Sequence, residues 1–563
     1  MPTLKSIFLS NKEYWLFGLI LVFFLLVRLP AIHAPYHQDE YKWAQIVAKG
    51  SPLAGTIPHP PLSEKIYTIT DRLFGNANLR YTPLIFSILN FCLIYFLVKK
   101  RFGLVEALGS VIIYTVTYYS VLASLMVDTD GQVLPAIFLF SLFFYFNFID
   151  ANNFKSKIVW GGLLFSALVV GFLVKLSFII PALTFIFDYL YLQRRFLNKK
   201  FILNSGLIIL GGVIIVGLGL LNARYVIPNF SLANNINYWK HFVVLSHRNY
   251  FQVLIQCFKS VIYLSPMLVL FPLGIGKDIF YKTRIFFIFI VSGLIFYLVL
   301  FDFSLGALDR YLQFLILPLS IICSVGLINV WRKSPKIVSR VSFLGVLALG
   351  GLLFALQFLP HIVPPQHPKT DWIYRIISLK WNFLFPLSGG SGPLGFYVSF
   401  ALIGLSFVIC LLVISIMYFS PAYRRLGIIT LVMVSLVYNF VFIEEYLFGL
   451  ISGNSAQVLT KALEFIKNDK DIEKVITYND TGTYELTNMG KYQRRIYADP
   501  SYENGYKKTL NNFKGYYLVV DIPRLNQGSI YEKYFSTCRV DFIETSINIS
   551  ATVFNCKQAK DLL

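Results

Sequence analysis

The sequence predicts a polytopic α-helical membrane protein that ends in a small soluble α/β unit. Three observations carry this expectation. The 563 residues are 56% hydrophobic, 17% aromatic and only 14% charged, with a mean hydropathy of +0.63, far from the composition of soluble domains. Thirteen apolar runs approach the ~20 residues that a helix needs to cross a bilayer: 14–32, 81–98, 104–123, 131–149, 158–174, 176–192, 202–222, 257–276, 285–301, 311–331, 339–359, 395–418 and 426–447. After about residue 450 the composition becomes that of a soluble chain.

The first run is rich in Phe and Leu and lacks a small-residue cleavage site before Arg28, so it reads as a retained span and not as a signal peptide. The net charge of +21 could suggest a nucleic-acid partner, and its placement decides against one. With Lys5 and Lys12 inside, alternate loops hold Lys99-Lys100-Arg101, Lys155 and Lys157, Arg194-Arg195 with Lys199-Lys200, Lys277 with Lys282 and Arg284, Arg332-Lys333 with Lys336 and Arg340, and Arg424-Arg425. These are short inner loops under the positive-inside rule. Of sixteen acidic residues before residue 450, five (Glu13, Glu106, Asp150, Asp188, Asp278) fall inside and eleven outside. The basic charge orients the chain, and chemistry is expected in the acidic outer loops.

An odd number of spans puts the C-terminal unit, 451–563, outside. An amphipathic helix near 455–468 precedes strand-like runs at 474–478, 516–520, 539–543 and 551–554, separated by polar turns. Cys92, Cys257, Cys323 and Cys410 fall in spans and read as apolar packing residues. Cys538 and Cys556 both fall in the outer unit, where a disulfide between them is expected. No repeat and no phosphate-binding glycine loop occurs, so nothing supports a nucleotide-driven mechanism.

Within 1–450, the first outer loop, 33–80, is long and reads as two interfacial amphipathic pieces, Asp39 to Ala48 and Pro61 to Phe74. It follows Arg28-Leu29-Pro30 and contains His37-Gln38-Asp39-Glu40-Tyr41 and His59-Pro60-Pro61-Leu62. Consecutive residues on a helix diverge by about 100°, so only one of Asp39 and Glu40 faces a given site. Asp39, at the helix start, is the better candidate for chemistry; the alternative is a helix cap. The short second outer loop holds Asp128-Thr129-Asp130-Gly131, which either borders a polar cavity or caps the next helix. Lys175, almost without a loop between two spans, must find an anion or snorkel to the surface. Asp309-Arg310-Tyr311 brings a second cation to the same level, and its planar fork suits either Asp309 or phosphate oxygens. Carboxylates facing Lys and Arg on one side of a membrane fit a phosphate-bearing lipid that reacts with a hydroxyl or amine.

At these residues the chain resembles the GT-C membrane glycosyltransferases, in particular the protein O-mannosyltransferase-like and aminoarabinose-transferase-like branch that uses polyprenyl-phosphate sugars. The elements that carry the likeness are Asp39 and Glu40, the turn from His59 to Leu62, Asp128 and Asp130, Lys175, and Arg310 with Tyr311. The resemblance implies a GT-C fold of about thirteen transmembrane helices, with catalysis in 1–450. It implies that Asp39 activates the acceptor beside Glu40, that Asp128 or Asp130 assists, and that Lys175, Arg310, Tyr311 and His59 contact the donor phosphate. Protein mannosyltransferases of this type commonly read HPPLGK. Here Ser63-Glu64-Lys65 follows Leu62, which displaces Lys65, a further candidate for the phosphate, by one position. Some GT-C enzymes use a divalent cation, for which His37, Asp39 and His59 are the candidate ligands, although their spacing matches no closed metal motif.

The expected function is inverting transfer of a sugar from a polyprenyl-phosphate donor to a lipid, lipid-linked glycan or protein acceptor at the outer face. By the resemblance the location is a cell membrane, that of a bacterial inner membrane, with the N-terminus cytoplasmic. The rival reading is a transporter or flippase of a lipid-linked saccharide, which should carry its charges near mid-membrane.

Overall fold

The computed structural model describes residues 4–37, 39–49, 61–193, 250–301, 308–335, 339–365, 367–388, 394–479, 481–497 and 499–561, with isolated positions between 231 and 240. Ten helical segments are long and apolar enough to cross a membrane, and two helix pairs qualify as bent spans. These twelve fall on twelve of the thirteen runs expected from sequence. The expected span at 202–222 lies outside the described residues.

The two bends depart from the straight spans that hydropathy suggests. Helices α5 (Leu104–Val116) and α6 (Tyr118–Ser124) meet at 71°, because Thr117 is extended, with φ −71° and ψ 120°. The backbone groups freed there find other partners, as they must away from water. The Asn439 amide oxygen accepts from Tyr118 N at 2.8 Å. The fully buried Arg28 donates to Thr115 O at 3.4 Å, Ser120 Oγ at 3.0 Å and Ser124 Oγ at 3.0 Å, and its guanidinium lies 3.5 Å from the Phe24 ring centroid. The second bend, 109°, falls at Ser265-Pro266, where Ser265 has φ 72°.

Each of the five acidic residues assigned to inner loops pairs with a cation: Glu13 with Lys99, Glu106 with Arg332, Asp150 with Arg101, Asp188 with Arg284 and Asp278 with Lys333. The other end of the bundle carries the expected interfacial helices, α2 (Asp39–Lys49) and α3 (Pro61–Phe74), and the C-terminal unit. Here Glu40 forms a clamp with Arg80. Arg80 Nε and Nη2 reach the two carboxylate oxygens at 2.8 and 2.7 Å, and those oxygens also accept from Val127 N and His37 N, both at 3.1 Å. The remaining Arg80 donors hold Ala31 O, Ala34 O and Pro35 O. One buried ion pair therefore ties the end of the first span, the start of α2, the foot of the next span and the second loop together.

The C-terminal unit is a five-stranded sheet in the order β4-β3-β5-β7-β6, where β3 is Val475–Tyr478, β4 Tyr492–Ile496, β5 Tyr516–Val520, β6 Arg539–Ser546 and β7 Ile549–Asn555. Strands β4, β3 and β5 are parallel, and β7 and β6 add antiparallel. Tyr516, Leu518 and Val520 face a core shared with the helix Ser455–Asn468, and Tyr517 and Val519 face a second core with Tyr531, Tyr534 and Phe535. Burial on both faces explains why β5 reads as an unbroken apolar run. Strand β4, Tyr-Gln-Arg-Arg-Ile, escapes the sequence pattern because it is an edge strand with a largely exposed polar surface. Cys538 and Cys556 form the expected disulfide, closing a separation of 18 residues. The sequence reading also missed the segment between the spans 340–358 and 400–419, which holds β1 (Leu384–Pro386) paired to β2 (Tyr397–Ser399) and a short amphipathic helix, Lys369–Ile377.

Two outcomes follow. Glu40→Gln leaves the Arg80 guanidinium buried without its counter-charge and should destabilise the protein by about 3–5 kcal/mol. In thermal unfolding, Glu40→Gln combined with Arg80→Met should recover part of that loss. Reduction of Cys538–Cys556 should remove roughly 3 kcal/mol of loop-closure stabilisation, seen as faster amide exchange in β6 and β7.

Candidate active site

The second loop, between α6 and the span Val133–Asp150, is the centre of the candidate site. It is held from below by α3, whose Tyr67 hydroxyl donates to Asp128 O at 2.8 Å. Gly131 allows a close approach: a Cβ there would stand 2.3 Å from the Gln313 side-chain oxygen and 3.2 Å from Ala123 O. A second close packing shapes the turn that carries Lys175. The Phe178 ring lies where a Cβ of Gly171 would be, and Lys175 leaves the helix in an extended conformation, with φ −160° and ψ 140°.

Four charges from three distant parts of the chain meet in this place. Arg310 Nε lies 2.8 Å from Asp128 Oδ2 and 3.7 Å from Asp130 Oδ2, and Lys175 Nζ is ion-paired to Asp130. All four side chains are buried or nearly so. The Tyr311 ring lies between the cations, its centroid 4.9 Å from Lys175 Nζ and 4.5 Å from Arg310 Cζ. Its hydroxyl is 2.6 Å from Arg310 Nη2. Burial pushes the Asp130 carboxyl above the usual carboxylate range, against the pull of Lys175, and the charge of Asp128 pushes the same way. For Lys175 burial acts to lower the pKa, but Asp130 and Asp128 outweigh it and hold the ammonium charged.

A small apolar pocket of about 30 Å³ lies beside Asp130, lined by Pro135, Phe138, Phe289, Tyr297 and Phe314. The buried side chains of Asp130 and Ser177 border it, and the Ser177 side chain is hydrogen-bonded with Tyr297. On the other side of the second loop, a cavity of about 510 Å³ lies between the first loop and the C-terminal unit. His33, His37, Glu40 and Met126 line one wall, and Gln457 and Lys461 line another.

The structure thus brings together Asp128, Asp130, Lys175, Arg310 and Tyr311. Asp39 opens α2 directly beside Glu40, but its side chain lies outside the described residues, as does the whole of His59. Glu40 is engaged in the Arg80 clamp. Lys65 is exposed on α3, about 200° around the helix from Ser63, which is buried against Val174 O; it does not join the cluster. Among the described residues no three His, Cys, Asp or Glu side chains assemble as a metal site. Asp128 and Asp130 are engaged by cations, a poor donor set for a metal. The sequence reading missed Arg80, Tyr67, Ser177, Gln313 and Tyr297. An acidic first loop needing a buried counter-charge could have pointed to Arg80; the other four carry no signal apart from packing.

Residues 58–217 match the family model described as dolichyl-phosphate-mannose-protein mannosyltransferase. The fold is similar to the crystal structure of ArnT from Cupriavidus metallidurans in the apo state, with TM-score 0.53, 14% identity, and coverage of 97% of this chain and 98% of that one. The same protein bound to undecaprenyl phosphate gives TM-score 0.52 at the same identity and coverage. The apo Archaeoglobus fulgidus oligosaccharyltransferase aligns over 91% of this chain and 70% of its own, at 10% identity and TM-score 0.42. A comparison with curated protein sequences finds no match. Part of the membrane region thus matches a mannosyltransferase family model, and this multi-pass membrane protein has an ArnT-like fold along almost the whole chain.

Proposed function

We propose that the protein transfers one sugar from a polyprenyl-phosphate donor to a hydroxyl- or amine-bearing acceptor, with inversion at the anomeric carbon. The observation that carries this reading is the convergence of Lys175 and Arg310 with Asp128, Asp130 and Tyr311 beside an apolar pocket. The apolar lining is of the kind a prenyl chain packs against, and the two cations are of the kind a phosphate pairs with. The ArnT structure that holds undecaprenyl phosphate has this fold. The positive-inside charge pattern supports an extracytoplasmic position for this end of the molecule, with the C-terminal unit, in a cell membrane.

In this reading the acceptor approaches through the cavity beneath the C-terminal unit. Asp39 takes the proton from the acceptor group, whose oxygen or nitrogen bonds to the anomeric carbon. The bond from that carbon to the phosphate oxygen breaks, and Lys175 and Arg310 stabilise the charge that collects on the leaving polyprenyl phosphate. Asp128 and Asp130 hold the cations in place before the donor binds. Glu40 acts through Arg80 to fix the start of α2. The acceptor class, a lipid, lipid-linked glycan or protein, is left open by a cavity that both the membrane region and the C-terminal unit line. Transport of a lipid-linked saccharide has no comparable support, because the candidate charges gather at one end of the bundle and not at its middle.

Purified protein reconstituted with radiolabelled polyprenyl-phosphate sugars and a membrane extract tests the reading. Asp39→Asn should cut transfer by about 100-fold or more and leave retention of polyprenyl phosphate unchanged; undiminished transfer would remove Asp39 from the reaction. Lys175→Met should remove one charge-assisted contact and weaken apparent donor affinity by roughly 10- to 100-fold. Movement of lipid-linked saccharide across the bilayer without consumption of donor would favour the transporter.

A further inference from the structure

The short helix Lys369–Ile377 has more apolar surface than the protein covers. Trp372 and Ile376 pack inward, where Trp372 meets Phe383 and Phe385 at centroid distances of 5.4 and 5.6 Å. Ile373 and Ile377 follow about 100° further round the helix and are 43% and 75% exposed. Tyr374 and Leu379 continue this edge at 62% and 73%. Its place in the chain limits what can cover it. It follows the span 340–358 by eleven residues, and the same Phe383 stacks at 4.8 Å on Phe400, the first residue of the next span. The helix therefore stands between the ends of two spans, at the level where they leave the bilayer.

The polar residues fit the same surroundings. Lys369, Arg375 and Lys380 outnumber Asp371, and the Lys380 ammonium lies 5.1 Å from the Tyr374 ring centroid. Trp381 donates its indole N–H to Ile376 O at 3.0 Å, and its ring packs against Gly404 near the top of the span 400–419, where a Cβ would come within 2.8 Å. Aromatic side chains at the headgroup level with Lys and Arg beside an apolar edge are the marks of a helix lying in a membrane interface. The helix is joined to the C-terminal unit: Leu384 of β1 and Tyr397 of β2 belong to the core that also contains Leu459, Leu463 and Val553. Gly395, two residues before β2, accepts a hydrogen bond from the Ser455 hydroxyl on its carbonyl at 2.6 Å.

We propose that residues 369–380 are an anchor for anionic lipid. The edge Ile373-Ile377-Leu379 inserts into the leaflet on the side of the C-terminal unit, and Arg375 and Lys380 hold anionic headgroups. Through β1 and β2 this contact fixes the height of the C-terminal unit above the bilayer, and so the clearance of the cavity beneath it. The inference stands whether or not the protein transfers sugar.

The test uses the full chain in nanodiscs of phosphatidylcholine with or without phosphatidylglycerol. In a background where Cys92, Cys257, Cys323 and Cys410 are Ala, a spin label on Ile377→Cys should be accessible to oxygen and shielded from a water-soluble relaxer. Accessibility to the water-soluble reagent would overturn the anchor. If the Ala background does not fold, the double variant Ile373→Ser with Ile377→Ser in the native chain serves instead, and should raise amide exchange in 369–399; unchanged exchange would overturn the anchor. The phosphatidylglycerol that co-purifies with the folded double variant Arg375→Gln with Lys380→Gln should fall about fivefold or more, as expected for loss of cations at an anionic surface. Equal retention by the wild type and this variant would overturn the headgroup assignment.

Discussion

The Glu40–Arg80 ion pair is the constraint on which the candidate active site depends. Its four carboxylate and guanidinium bonds are buried at the end of the bundle that carries the C-terminal unit, and they reach into both loops from which the candidate residues come. A buried pair of this kind contributes little net stability over an apolar alternative. Its value lies in geometry. Arg80 gathers three carbonyls after the first span and Glu40 gathers the amides of His37 and Val127, so the start of α2 and the stretch leading to Asp128 cannot move independently. The consecutive acids of the first loop thus divide their roles, with Glu40 fixed in the clamp and Asp39 beside it at the helix start.

The same economy of charge applies across the membrane region. At the inner-loop end, acidic and basic residues pair one to one and mark topology. At the other end, two carboxylates and two cations meet beside an apolar pocket. An incoming phosphate would find cations already desolvated and already positioned, and a protein that holds a donor lipid's charged head at the interface needs no aqueous path through the bundle.

Much of this was legible from sequence, and for physical reasons. Hydropathy registers the length of an apolar segment, so the spans were found; it does not register a change of direction, so the breaks at Thr117 and Ser265 were not. The charged candidates Asp128, Asp130, Lys175 and Arg310 stood out because a charge beside a membrane span must have a partner. Tyr67, Ser177 and Gln313 are polar residues of a kind found throughout helical bundles, and only packing shows that they border the same place. Glu40 read as a companion to Asp39, and its true partner forty residues away was hidden because contact between distant loops leaves no local pattern. In the C-terminal unit the buried strands were visible as apolar runs, whereas the exposed edge strand Tyr492–Ile496 and the helix Lys369–Ile377 were too polar or too short to register.

The central claim is that Lys175 and Arg310 exchange their carboxylate partners for the phosphate of a polyprenyl donor beside the apolar pocket. A structure of the full protein with polyprenyl phosphate bound addresses it most directly. The account predicts phosphate oxygens within hydrogen-bond distance of Lys175 Nζ and of the Arg310 guanidinium, with the first isoprene units against Phe138 and Tyr297. A phosphate held elsewhere, with the Lys175–Asp130 and Arg310–Asp128 pairs intact and the pocket empty, would contradict it.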